Sequence, residues 1–156
     1  MKKSASKLSP HSLGYLTGSI SQALADRLRK NFREEGLELA HAQFVLLLDL
    51  FLEDGQTQQS LARKVFKDKA AIKRSVDNLV AHGWVRREEA TSSRNNPIWL
   101  THFTRSQETL LRKVAARTIK EATKDIEPQE IECCLAVLRK LHLSLVENAP
   151  SALETT

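Results

Sequence analysis

Cysteine is scarce in this sequence, which excludes a disulfide-stabilised fold. The chain has two cysteines, adjacent at Cys133 and Cys134. Neighbouring cysteines do not make a disulfide framework, and they lack the Cys-x-x-Cys spacing of a zinc or redox motif. Oxidant sensing by these residues is an alternative that we do not favour, because a relaxed disulfide between adjacent cysteines is geometrically demanding. We therefore expect a protein of a reducing compartment.

Long apolar runs and biased composition are also absent. No run approaches the ~20 apolar residues that span a bilayer, so we expect no membrane partner. The first residues, MKKSASKLSPHS, lack the apolar core of a signal peptide. With 41% hydrophobic and 28% charged residues, the 156-residue chain suits one domain, and we predict a cytoplasmic location.

Signatures of catalysis and metal binding are missing from the sequence as well. It has no nucleophile with a paired base, no phosphate-binding loop and no paired-acid motif, so we predict that the protein is not an enzyme. The dispersed histidines favour ordinary surface or core roles over a metal site, and we expect neither metal nor cofactor. These histidines are His11, His41, His82, His102 and His142.

The segment from Thr57 to Thr101 carries the clearest functional pattern. Thr57 can cap a short helix, Asp68 can cap a second one, and Gly83 can end it in the left-handed conformation. Apolar residues recur at helical spacing in both segments: Leu61, Ala62 and Val65 in the first, and Ile72, Val76, Leu79 and Val80 in the second. Only a few residues separate the two segments, as a helix-turn-helix requires.

Helical geometry turns a basic face of the second helix outward. If the apolar residues of that helix face the core, the exposed ones are Lys69, Ala70, Lys73, Arg74 and Asp77. Lysine and arginine can reach phosphate oxygens or guanine acceptors in the major groove, and small residues let the backbone approach a base edge. Ordinary solvation of a charged helix face is the alternative.

Two short β-compatible runs follow the second helix. They are Trp84 to Glu88 and Ile98 to Thr101, and the polar cluster ATSSRNNP between them contains Arg94. An arginine at a hairpin tip can enter the narrow minor groove while the preceding helix occupies the adjacent major groove. A solvated turn is the alternative.

The run LARKVFKDKAAIKRSVDNLVAHGWVRRE, followed by SSRNNPIWLT, resembles the MarR family of winged-helix regulators. Arg94 lies six residues before Leu100, as the wing arginine of the family does. The resemblance implies a mainly α fold with a small β-wing, in which residues 69 to 74 contact the major groove and Arg94 contacts the minor groove. Two positions depart from the family pattern: Ser92 replaces the usual acidic residue before the wing arginine, and Thr104 replaces the glycine that often follows Leu-Thr.

Candidate DNA contacts follow from the exposed basic residues and from this resemblance. We predict phosphate contacts by Arg63, Lys64, Lys67 and Lys73, positions near bases for Lys69, Ala70, Ala71 and Arg74, and a wing contact by Arg94.

Long amphipathic helices are predicted on both sides of this segment. The first opens at Ser9-Pro10 or Ser12 and carries Leu16, Ile20, Leu24, Leu28 and Phe32 at intervals of four. Residues 39 to 52 predict a buried helix, and the Thr-x-x-Gln spacing of Thr104 and Gln107 predicts a capping box that begins the next one. Pro128 fits the first turn of a last helix. We predict one MarR-like domain over 1–156, with dimerisation helices at 9–36 and 104–148 around a winged-helix core at 39–101.

A lone winged helix does not cover both apolar stripes, so we hypothesise that they pair with a second copy in a homodimer. Packing of both stripes on their own chain is the alternative. We therefore predict a sequence-specific dimeric regulator that binds double-stranded DNA at a palindromic operator, usually as a repressor. A protein-interaction adaptor and a non-specific nucleoid DNA binder are the competing functions.

The resemblance further implies a pocket for a small aromatic or lipophilic effector between the terminal helices and the winged helix. By position, the candidate wall residues are Tyr15, Phe44, Phe51 and Leu111. A plain core role is the alternative for each of them.

Overall fold

The structure is a computed structural model that describes residues 11–64, 69–88 and 96–147, without the side chains of Val146 and Glu147. Helices dominate these ranges, and the predicted mainly α fold with a small β-wing is confirmed. The elements in chain order are α1 (Leu13–Glu34), α2 (His41–Leu52), β1 (Gln56–Thr57), α3 (Gln58–Lys64), α4 (Lys69–Ala81), β2 (Val85–Arg87), β3 (Pro97–Leu100), α5 (His102–Ala122) and α6 (Pro128–Glu147). The described residues fall into two compact units, one up to Ile119 and one from Lys120.

Helix α1 is amphipathic, but only its C-terminal half contributes buried residues to the first unit. Ser12 caps the helix, since its hydroxyl oxygen accepts a hydrogen bond from the Tyr15 amide at 3.4 Å. Phe32 is fully buried, whereas Leu16 and Ile20 are 41% and 55% exposed. The apolar stripe that the sequence predicts therefore runs from the core out into solvent.

The core of the first unit forms around α2. The apolar run of this helix buries Leu46, Leu47 and Leu50, which confirms the predicted buried helix. The ring of Phe44 packs against Phe32 of α1, with the ring centroids 5.3 Å apart. Further buried residues come from α3, α4, the sheet and α5: Leu61, Ile72, Val76, Leu79, Val85, Ile98, Leu100, Leu111 and Val114.

The sheet has three antiparallel strands in the order β1-β3-β2. Val85 of β2 lies opposite Leu100 of β3, and Gln56 of β1 lies opposite Ile98. The hairpin of β2 and β3 was expected, but β1 was missed, because a two-residue strand has no readable alternation. Thr57 belongs to this strand and still caps α3, accepting the Ser60 amide at 3.2 Å.

A tight turn joins the end of α2 to the sheet. Gly55 has a φ of +72°, and a Cβ at this position would lie 2.5 Å from the Trp99 ring. One carboxylate oxygen of Asp54 accepts the Gly55 amide at 3.0 Å and the Leu100 amide at 2.9 Å. The other oxygen accepts a hydrogen bond from Arg105 of α5. A single carboxylate thus connects this turn, β3 and α5.

The predicted start of α5 is wrong. The helix begins at His102, and Thr101 is the capping residue, because its hydroxyl oxygen accepts the Thr104 amide at 3.2 Å. Thr104 is instead fully buried, and its hydroxyl donates to the Trp84 carbonyl. Both threonines have a cap-compatible sequence, and the end of β3 at Leu100 decides between them.

The second unit contains α6, which begins with Pro128 in its first turn as predicted. The Glu127 amide donates to the Glu130 carboxylate at 3.1 Å, so the cap comes from a side chain within the helix. Cys133 and Cys134 are exposed free thiols. Several apolar residues of this helix are also exposed: Leu135, Val137, Leu138, Leu143 and Leu145. Among the described residues, no helix is long and apolar enough to cross a membrane.

Candidate nucleic-acid interface

Helices α3 and α4 have the inner and outer faces that the sequence predicts. The inner face is buried and consists of Leu61 in α3 and Ile72, Val76 and Leu79 in α4. Exposed residues of α4 include Lys69, Ala70, Lys73 and Arg74, whereas Ala71 is half-buried. The basic side of α4 is therefore open to a partner.

Asp77 organises the cations on this side of α4. One of its carboxylate oxygens accepts a hydrogen bond from Lys73 at 2.7 Å, and the other accepts one from Arg87 of β2 at 2.6 Å. The hydrogen bonds from Lys73 and from Arg87 hold the pKa of Asp77 below its ordinary value. The carboxylate is thus charged at neutral pH and keeps a cation of α4 close to a cation of the sheet.

A cleft of about 470 Å³ lies beside these ion pairs. It is lined by Gln58, Gln59, Lys69, Lys73, Arg87, Asn96 and Ile98. Three of these residues are cations, and none of the described lining residues is acidic, so this part of the cleft suits a negatively charged group such as a phosphate.

Arg87 is a candidate contact that sequence reasoning missed. The run WVRRE was recognised as a strand, but a three-residue strand does not reveal which of its two arginines faces α4. In the structure Arg87 pairs with Asp77, while the guanidinium of Arg86 lies 5.8 Å from the Trp99 ring centroid. A signal was present in the sequence, because adjacent strand residues point to opposite faces and one of the two arginines had to face α4.

The remaining predicted DNA contacts differ in their surroundings. Lys64, in the last turn of α3, pairs with Glu53 at 2.8 Å. Arg63 and Arg74 are exposed. Lys67 and Arg94 lie outside the described residues, as does the predicted cap Asp68.

The four candidate effector contacts do not meet at one described cavity. Phe44 and Leu111 are buried in the core, and the Phe51 ring lies 5.7 Å from the Arg112 guanidinium. Tyr15 is 58% exposed on α1. A cavity of about 330 Å³ between α1 and the start of α2 is lined by other residues: Ser21, Gln22, Ala25, Asp26, Arg29, Ala40, His41 and Ala42. The effector pocket stays a prediction.

The faces of α3 and α4, followed by the antiparallel sheet, define a winged helix-turn-helix protein. Residues 39–95 match the model of the MarR family. They form a MarR-family domain, within a chain that has the fold of MarR-family transcriptional regulators. The resemblance predicted from the sequence is confirmed.

Solved structures share this fold over most of the chain. A MarR-family transcriptional regulator from Silicibacter pomeroyi is 25% identical with a TM-score of 0.68, and the match covers 96% of this chain and 99% of that one. For a probable transcriptional regulator from Pseudomonas aeruginosa the values are 22% identity, a TM-score of 0.75, and 84% and 97% coverage. A MarR-family protein from Listeria monocytogenes, solved with a 26mer DNA, is 20% identical with a TM-score of 0.74 and coverage of 88% and 91%. A comparison with curated protein sequences found no match.

Proposed function

We propose that this protein is a sequence-specific transcriptional regulator that binds duplex DNA through α4 and the adjoining sheet. The observation that carries the proposal is the group of Lys69, Lys73 and Arg87 around one open cleft, with Arg74 exposed on the same helix. An α-helix fits the major groove, where Arg74 can contact guanine while the cleft receives backbone phosphates. The 26mer DNA in the related Listeria monocytogenes structure supports this function.

We further propose that the protein acts as a homodimer on a palindromic operator. The N-terminal half of α1 exposes Leu13, Tyr15, Leu16 and Ile20, each by more than 40%. Among its described side chains, helix α6 exposes five large apolar residues of its own. Because clustered exposed apolar side chains are rare on monomers, a second copy of the chain is the natural cover. In this proposal the whole chain is one MarR-like domain, with 9–36 and 104–148 as dimerisation helices.

The dimer proposal has a direct test. Sedimentation at micromolar concentration should give a mass twice the 17.6 kDa of one chain. A two-fold dimer with recognition helices about 34 Å apart can enter successive major grooves on one face of B-DNA. A single species of 17.6 kDa would refute the dimer and, with it, the palindromic operator.

Repression is the regulatory direction that we propose, with relief by a small aromatic or lipophilic effector. An effector can act only if it binds the DNA-competent and the DNA-incompetent states with different affinities. A small aromatic carboxylate that acts in this way must bind the DNA-free protein and so change its melting temperature. Release of the operator with an unchanged melting temperature of the DNA-free protein would contradict the proposed effector mechanism.

The central experiment is selection of genomic DNA fragments by the purified protein, followed by titration of the best fragment and of a random duplex. A specific regulator should prefer the selected fragment by about a thousandfold or more, with a palindromic core. Lys69→Ala should weaken binding, whereas Lys113→Ala, an equal charge change on the exposed side of α5, should not. Equal affinity for all duplexes would indicate a non-specific nucleoid binder, and no affinity for DNA would favour an adaptor that docks an acidic protein.

A further inference from the structure

A carboxylate in the middle of a basic surface needs an explanation. Asp77 lies on α4 among the cations that line the cleft, and a negative charge there repels the phosphates of any DNA that approaches. Its ion pairs contribute little to stability, because the side chain is 39% exposed and solvent screens both pairs. The structural role of Asp77 is therefore small, and its position points to a role in binding.

The geometry of the two ion pairs shows what Asp77 does to the cations. Its two oxygens bind cations from different elements, Lys73 one turn earlier on α4 and Arg87 on β2. Lysine and arginine side chains are long and flexible, so each pair restricts a group that would otherwise reach in many directions. The three groups together carry one net positive charge.

We propose that Asp77 is a positioning residue that determines DNA specificity by restraining Lys73 and Arg87. This inference rests on the proposed DNA-binding function. Non-specific affinity comes almost entirely from cations that contact phosphates of any sequence. Restrained cations meet phosphates only where the DNA lies in the correct register, and only there do they offset the repulsion between the carboxylate and the phosphates. Asp77 thus lowers affinity for wrong DNA more than affinity for the operator.

The decisive variant is Asp77→Asn, which keeps the volume of the side chain and removes its charge. Asparagine has one acceptor oxygen instead of two and no negative charge, and its amide nitrogen can only donate, so it cannot bind the two cations on separate oxygens as Asp77 does. Affinity for a random duplex should rise about two- to fivefold per protomer, from the range measured for exposed charge pairs. Affinity for the genomically selected duplex should change less, so the ratio of the two affinities falls. The salt dependence of random-duplex binding should steepen by about one unit per protomer.

Glu108→Gln is the matched control. Glu108 pairs with Arg112 on α5 at 2.7 Å, and its side chain is 38% exposed, close to the value for Asp77. Both substitutions raise the net charge of +5 by one. A third variant, Asp77→Glu, retains the charge and should keep random-duplex affinity near the wild-type value.

The outcomes separate this inference from the function on which it rests. If the wild-type protein does not discriminate between the selected and random duplexes, the proposed sequence-specific function and the role of Asp77 are both overturned. If the wild-type protein discriminates but Asp77→Asn has the same affinity ratio, only the role of Asp77 is overturned. Equal gains in Asp77→Asn and Glu108→Gln also overturn it, because net charge would then explain the effect. A parallel loss on both duplexes, with a lowered melting temperature, assigns Asp77 a purely structural role and overturns the proposal too.

Discussion

Gly55→Ala should destabilise the protein far more than Gly36→Ala, although the two glycines have nearly the same backbone conformation. Their φ angles are +72° and +74°, in the left-handed region that disfavours side chains. A Cβ at Gly36 meets nothing within 4 Å, whereas one at Gly55 lies 2.5, 2.7 and 2.9 Å from three atoms of the Trp99 ring. Gly36→Ala therefore isolates the backbone cost, and Gly55→Ala adds a steric cost.

The expected magnitudes follow from these two terms. A left-handed alanine costs about 1–2 kcal/mol, offset by about 0.4–1 kcal/mol because alanine restricts the unfolded chain, so Gly36→Ala should cost about 1 kcal/mol. Relief of the clash at Gly55 requires movement of the indole, whose Nε1 donates to Glu88 at 2.8 Å. Overpacking of this kind costs about 1–3 kcal/mol more, so Gly55→Ala should cost about 2–4 kcal/mol.

Urea denaturation at one fixed protein concentration measures both free energies of unfolding, and the fixed concentration keeps any contribution from oligomerisation comparable. The double variant Gly55→Ala with Trp99→Leu should recover most of the extra cost, because the smaller side chain leaves room for the Cβ. Equal costs for Gly36→Ala and Gly55→Ala, or no recovery in the double variant, would refute the steric argument.

Two further predictions concern the basic surface. Arg74→Ala should lower the affinity ratio between selected and random duplexes by roughly tenfold or more, whereas Lys64→Ala should weaken both alike and reduce the salt slope by about one unit, as measured by titration at several salt concentrations. Equal losses on both duplexes for Arg74→Ala would contradict its assignment to base contact. The Asp77 carboxyl should titrate below its ordinary pKa in carbon-13 NMR, and Lys73→Ala should move that pKa upward. Because the pKa is depressed in the folded state, the stabilisation by Asp77 is present at neutral pH and is lost as the pH falls through that pKa; an unchanged Asp77 titration in Lys73→Ala would contradict the hydrogen-bond explanation.

Periodicity was sufficient to predict the helices and the hairpin. The four-residue spacing in α1 and the three- and four-residue steps in α4 are strong local signals, and Gly83 ends α4 with a φ of +72°, as expected. The same spacing predicts the inner face of α4, and the burial of Ile72 and Val76 confirms it. These features depend on residues close together in the chain, which a single sequence displays.

The missed features depend on residues that are distant or few. The pairing of β1 with β3 joins Gln56 to Ile98, and nothing local to either residue reveals the partner. The choice of Thr101 over Thr104 as cap depends on where β3 ends. Within the site, the charges of α4 were predicted, but the link from Asp77 to β2 was not, because it needs the tertiary fold.

The junction at Asp54 has a mechanical consequence. Its carboxylate binds the Gly55 and Leu100 amides and Arg105, so we expect the turn after α2, strand β3 and the first turn of α5 to move together. A hinge for a regulatory motion is then expected outside this junction, farther along α5 or before the end of α2. Hydrogen exchange tests the idea: Asp54→Ala removes both acceptor oxygens and should speed exchange of the Leu100 amide, whereas the Gly55 amide keeps its second acceptor, the Ile98 carbonyl at 3.1 Å. An unchanged exchange rate at Leu100 would contradict the role of Asp54 in holding β3. A displacement of the start of α5 should therefore be passed to β3, the central strand of the sheet, through Arg105, the Asp54 carboxylate and the Leu100 amide.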